Sequence, residues 1–174
     1  MIMAVAFVVL LASQSSNAID RCADALPPSL ADQLRRQYPG YSLVTEALLD
    51  PHDREAYQKD HPNGCPGVAR LDFYGDGGAA YAVLLVRPSR APREALLLVA
   101  RSASEAPWAF RKLGRVDIGA VPVIYSLPAG QYWSADASEH AEFKGEVVAE
   151  VAFEAWSSIF GWTGSRVKSI VTSD

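Results

Sequence analysis

From residue 68 onward the chain reads as short apolar runs cut by turn residues at intervals of about ten to fifteen positions, the pattern of antiparallel β structure. The spacing predicts strands over residues 68–73, 80–87, 94–101, 108–114 and 121–125. Residues 146–155 carry two periodicities at once. Glu146, Glu150 and Glu154 recur every four residues as on a helix, whereas Val147, Ala149, Val151, Phe153 and Ala155 take every second position as on a strand. The aromatic-rich run 156–162 and the turn Thr163-Gly164-Ser165 before residues 166–171 favour strand, so the end of the chain reads as a β-hairpin.

Ahead of the strands, Pro27-Pro28-Ser29 opens a helix with Leu30, Ala31, Leu34 and Tyr38 at three- and four-residue spacing, and Pro39-Gly40 ends it. Residues 41–67 are irregular, with at most a short strand over 42–47 and a helical turn over 53–59. Residues 2–12 are wholly apolar and Ser13-Gln14-Ser15-Ser16-Asn17-Ala18 follows, so residues 1–18 read as a signal peptide cut after Ala18, although no Lys or Arg precedes the apolar run. That run is too short to span a hydrocarbon core of about 30 Å. Ile19-Asp20-Arg21 lacks the small residues that a lipid anchor at Cys22 would need. The expectation is a single exported α+β domain over residues 19–174, with a short N-terminal helix packed on an antiparallel sheet of about six or seven strands that curls toward a barrel or a sandwich. The destination is the periplasm or the outside of the cell.

A formal charge of −4 argues against a nucleic-acid role, whose phosphates demand a basic face. The charge is uneven: Arg87, Arg90, Arg93, Arg101, Arg111, Lys112 and Arg115 face only Glu94 and Glu105 within their stretch, while Glu139, Glu142, Glu146, Glu150 and Glu154 make the last third acidic. One reading pairs these charges across neighbouring strands on a solvated face; the other makes the basic stretch a patch for an acidic partner or an anionic polymer. Cys22 and Cys65 are the only cysteines, and in an oxidising compartment they are expected to form a disulfide rather than a metal site.

Asp72-Phe73-Tyr74-Gly75-Asp76-Gly77-Gly78 matches the first, fifth and sixth positions of a D-x-[DN]-x-[DN]-G calcium loop, which makes Asp72 and Asp76 a calcium candidate. Tyr74, Ala80 and Val83 stand where further ligands would be needed, so the favoured reading is a tight glycine turn whose aspartates bond backbone amides. With the apolar run Tyr81-Ala82-Val83-Leu84-Leu85 behind it, this segment resembles the FG-GAP or VCBS repeat motif. More loosely, Tyr38-Pro39-Gly40-Tyr41, Cys65-Pro66-Gly67 and the terminal hairpin resemble a group of small exported bacterial proteins that carry one such motif. In the repeat families the loop binds calcium and the blades bind partners.

No nucleophile elbow, H-E-x-x-H, P-loop or C-x-x-C occurs. His52, His61 and His140 each lie among polar and turn residues; His52-Asp53, Asp60 and His61 are the set that the irregular segment offers for a metal or acid/base site. Tyr132, Trp133, Trp156, Phe160 and Trp162 are either core or the lining of a ligand groove. The leading expectation is a non-catalytic exported binding protein that inhibits or sequesters a protein or envelope-polymer partner, with no catalytic residues, no cofactor, and no membrane insertion after signal cleavage. The alternatives are a hydrolase using the His and acidic residues of segment 50–76, or a calcium-stabilised structural module.

Overall fold

The computed structural model describes residues 21–87, 93–102 and 107–173. The signal peptide read over residues 1–18 lies outside the described residues, as do Arg90, Glu105 and Asp174.

The fold starts with α1 (Pro28–Gln37), which takes proline in its first turn and Arg35 and Arg36 in its last. Leu30 and Leu34 bury its inner face. Strand β1 (Ser42–Leu43) is short, a 3-10 turn (Glu46–Leu48) follows, and α2 (Pro51–Asp60) comes next. A ten-residue helix replaces the single helical turn expected here. Asp50 caps it by accepting the His52 amide at 3.0 Å and Pro51 opens it, yet among its residues only Tyr57 is buried, so hydrophobic periodicity gave little sign of it.

The first sheet holds β2 (Val68–Leu71), β3 (Ala80–Arg87), β4 (Arg93–Arg101) and β5 (Ala109–Ile118). All neighbours are antiparallel, and β1 and β2 share one side of β3, pairing with its far and near ends. The chain then crosses to a second antiparallel sheet, where β6 (Val123–Leu127), β9 (Val147–Ala152), β10 (Trp156–Trp162) and β11 (Val167–Ser173) lie in the order β11-β10-β9-β6. Between β6 and β9 a ribbon of β7 (Gly130–Trp133) and β8 (His140–Phe143) forms a third, two-stranded sheet. The single sheet of six or seven strands is thus replaced by eleven strands in three sheets, which do not close into a barrel among the described residues.

Layering explains the apolar runs. Ala82, Leu84 and Val86 of β3 and Leu97 and Val99 of β4 face the second sheet, where they join Val123, Ile124, Val148 and Phe160. The alternate residues Val83, Leu85, Leu96 and Leu98 meet Leu30 and Leu34 of α1. Both faces of β3 and β4 are covered, so their sequences are continuously apolar instead of alternating. Gln33 latches the helix by donating to the Trp108 carbonyl at 2.7 Å and accepting the Trp108 amide at 2.9 Å. On the far side of the second sheet, Ala141 and Phe143 of the ribbon pack on Val147, Ile159 and Ile170.

Cys22 and Cys65 form a disulfide across a sequence separation of 43, fastening the segment before α1 to the start of β2. Closing a loop of that length in the unfolded chain is worth roughly 4 kcal/mol. Among the described residues no helix is long and apolar enough to cross a membrane.

One acid sits inside the sandwich. Glu150 is 2% exposed, shares its strand face with the core residue Val148, and stands opposite Ile124 and Ser158. Its Oε1 has no hydrogen-bond partner, and burial pushes its pKa up from the ordinary 4.5 to about 7. Because the folded state holds this proton where the unfolded state has lost it, the contribution of Glu150 to stability is greatest below about pH 4.5, declines as pH rises, and levels off above about 7. The total loss is on the order of 3 kcal/mol. Glu150→Gln is expected to flatten that decline and to be the more stable protein at pH 8, as read by denaturant unfolding across pH 4.5 to 8. An unchanged slope in the variant would show that another group sets it.

Candidate functional site

The loop between β2 and β3 builds one corner of the molecule. Asp72 Oδ1 accepts the amides of Gly75 at 2.9 Å and Asp76 at 3.2 Å, and Oδ2 accepts Gly77 at 2.8 Å. Asp76 accepts the Gly78 amide at 3.0 Å and both terminal nitrogens of Arg101, at 2.8 and 3.1 Å. The Arg101 hydrogen bond, helped by the Gly78 amide, holds the Asp76 carboxyl below its usual range.

The loop is clasped to the second sheet by one backbone–side-chain and one backbone–backbone hydrogen bond. Asp72 donates its amide to Glu146 Oε2 at 2.6 Å, and the Glu146 amide returns to the Asp72 carbonyl at 2.9 Å. Gly75, in the left-handed region at φ +70°, and Gly145 make the approach feasible: a Cβ on Gly145 would lie 2.2 Å from the Asp72 carbonyl oxygen. Lys144 donates its amide to the Trp162 carbonyl at 2.9 Å, which fixes the end of β10 beside the same loop.

This clasp lines up four side chains from four separate stretches. Arg101, at the end of β4, lies 5.1 Å from the centre of the Tyr74 ring; Tyr74 meets Trp162 edge-on at 5.5 Å; and Arg111 of β5 lies 5.3 Å from the centre of the Trp162 ring. The two arginines differ in one respect. Arg101 spends its donors on Asp76, whereas Arg111 is exposed and meets no carboxylate among the described residues. A guanidinium resting on an indole keeps its N–H edge in water, is held in one orientation, and presents paired donors that match a carboxylate or phosphate.

The expected cross-sheet pairing of basic stretch with acidic last third does not form among the described residues. Glu139 pairs with Lys168, Glu142 with Lys144 and Glu154 with His52; Glu146 bonds the loop and Glu150 is buried. Arg87 lies over the Tyr41 ring at 4.5 Å and stands opposite Glu94.

The donor set does not suit calcium. Every carboxylate oxygen of Asp72 and Asp76 already accepts N–H groups, a guanidinium stands against Asp76 where a cation would be drawn, and Tyr74 turns its ring to Trp162. Among the described residues no group of three or more His, Cys, Asp or Glu is placed to hold a metal ion.

Nor do the histidines gather. His52 and His61 flank opposite ends of α2, about 13 Å apart along a helix axis at 1.5 Å per residue. His61 stacks between Tyr57 and Tyr125, and His140 stacks on Trp133 at 4.5 Å. His52 Nε2 meets Glu154 Oε1 at 3.3 Å beside Asp53 in an open cavity of about 680 Å³, with both partners mostly exposed. The five aromatics do not form one groove either: Phe160 is core, Tyr132 packs on Phe143 in the ribbon, Trp156 lines a cleft with Tyr125, and Trp162 alone joins the arginines.

Family models, curated proteins and solved structures offer no match to this chain. The site therefore rests on its own geometry. The signal that Tyr74 carries in the sequence is an aromatic ring at a loop position where a calcium loop carries a carboxylate.

Two outcomes test the corner. Gly145→Ala forces backbone apart and is expected to cost about 1–3 kcal/mol in urea unfolding, more than an alanine at the open turn position Gly119. Millimolar calcium is expected to leave the melting temperature of the oxidised protein unchanged relative to EDTA, since calcium would have to displace Arg101; a rise lost in Asp76→Ala would reverse that assignment.

Proposed function

We propose that the chain is an exported, non-catalytic binding protein that holds an anionic partner on the corner centred on Arg111 and Trp162. The observation that carries this reading is the contrast between the two arginines: Arg101 is neutralised within the fold, while Arg111 is held against a ring and meets no carboxylate among the described residues. Export is supported by the disulfide, which persists in oxidising compartments. A binding role is supported by the separation of the histidines and by a site made of ring faces and cations, groups that recognise charge without a nucleophile or base beside them.

A titration followed by tryptophan fluorescence tests it. Alginate, a polymer of acidic sugars, is expected to perturb the fluorescence and neutral dextran is not, with affinity falling as salt is raised. Arg111→Ala is expected to weaken alginate binding about tenfold, the equivalent of one charge-assisted hydrogen-bonded contact, without lowering the melting temperature. Equal binding of the two polymers, or undiminished binding by the variant, would remove Arg111 from the site.

A further inference from the structure

The first sheet has an open side. Strand β4 holds one edge of β5 from Ala109 to Ile118, and among the described residues no strand pairs the other edge. Backbone N–H and C=O groups along such an edge are a template for one more strand. Pairing with β4 is regular from Ala109 to Lys112, after which a bulge opposite Leu97 and Leu98 interrupts it.

Two adjacent side chains mark the regular part. Arg111 stands opposite Val99, on the face toward the second sheet, and Lys112 stands opposite Leu98, on the face toward α1. Both are exposed, and neither meets a carboxylate among the described residues. A strand alternates its side chains between faces, so a segment laid along this edge would offer one residue to Arg111 and the next to Lys112. Opposite charges across a strand pair stabilise it and like charges destabilise it. A second copy of this edge would set cations against cations. An acidic segment would satisfy both.

We propose that the free edge of β5 takes up an extended acidic segment of a partner polypeptide as an added strand, with neighbouring carboxylates on Arg111 and Lys112 and the Trp162 ring flanking the first of them. The proposal rests on the binding reading above and narrows its anionic partner to a polypeptide. Backbone hydrogen bonds supply the docking and the two cations select the sequence, so an acidic pair flanked by residues of high β propensity is the class recognised.

The probe is the capped peptide Thr-Val-Thr-Glu-Glu-Thr-Val-Thr, in unmodified form and in two N-methylated forms that block alternate sets of backbone amides. Only one set faces the protein in strand addition. One methylated peptide is therefore expected to lose about tenfold or more in affinity while the other binds nearly as the parent does. The double variant Arg111→Glu, Lys112→Glu is expected to reject the acidic peptide and to accept its counterpart with a central Lys-Lys pair. Equal binding of both methylated forms would mean attraction by charge alone and would overturn strand addition. Alginate binding without peptide binding would overturn it too and leave the broader reading standing. Failure of peptide and alginate alike would remove both.

Discussion

Asp72 and Glu146 exchange backbone and side-chain hydrogen bonds across the gap between the two main sheets, and the corner of the molecule is organised around that exchange. It requires two chain segments to run closer than side chains would permit, which is why glycine stands at 75 and 145. With the loop pinned there, Asp72 can turn its carboxylate inward to gather three amides, and Asp76 is left to face Arg101. Tyr74, between the two aspartates, is carried outward onto Trp162. A turn that reads as a cation loop in sequence is thereby used as a bracket between sheets. Its negative charge is answered by an arginine from a neighbouring strand.

The same economy of partners shows in the interior. Most buried positions are aliphatic, and the long runs in β3 and β4 supply both faces of the first sheet. Gln33, Glu94 and Glu150 are the buried polar positions among the described residues, and Glu150 shares a face with the core residue Val148 while its Oε1 has nothing to bond it. A carboxylate in that position is tolerable as a neutral acid and costly as an anion, so the sandwich is held together most firmly under mildly acidic conditions. Asp76 works in the opposite sense and at lower pH: its contribution is present above the ordinary carboxylate range and disappears as pH falls through its lowered value.

Much of the fold was legible where local rules and tertiary packing agree. Pro28 with Leu30 and Leu34 announced α1, and the runs around Leu84 and Leu97 announced β3 and β4. The double periodicity over residues 146–155 resolved to strand over Val147–Ala152, where Val148 and Val147 both find apolar neighbours, one on each face of the second sheet, and to a turn over 153–155, with Glu154 at positive φ. The ribbon of β7 and β8 leaves no clear pattern in the sequence because four residues per strand are too few to establish alternation, and their burial comes from Ile159 and Ile170 on later strands. The full length of α2 is faint in the sequence for a related reason: it is held by Asp50 and Pro51 at its start, with a single buried side chain to mark a face. Of the site, the basic stretch was visible and Trp162 stood among five candidate aromatics, but nothing local distinguishes Arg111 from Arg101 or Trp162 from Trp133. Only the crossing from the first sheet to the second sets Arg111 over Trp162 and leaves Trp133 on the ribbon.

That difference between the two arginines bears on how a cation becomes available to a partner. An exposed arginine on a flexible stem loses conformational freedom when it binds, and one already paired with a carboxylate must break that pair first. Arg101 is in the second situation, with both terminal nitrogens on Asp76. Arg111 is in neither, because the indole restrains it without using its donors, and the ordering cost is met within the fold. Position along β5 adds a second restraint, since a strand backbone fixes where successive side chains point. Under the proposed binding role, a rigid backbone, a ring beneath the guanidinium and a strand edge unpaired among the described residues together favour a partner that is itself extended.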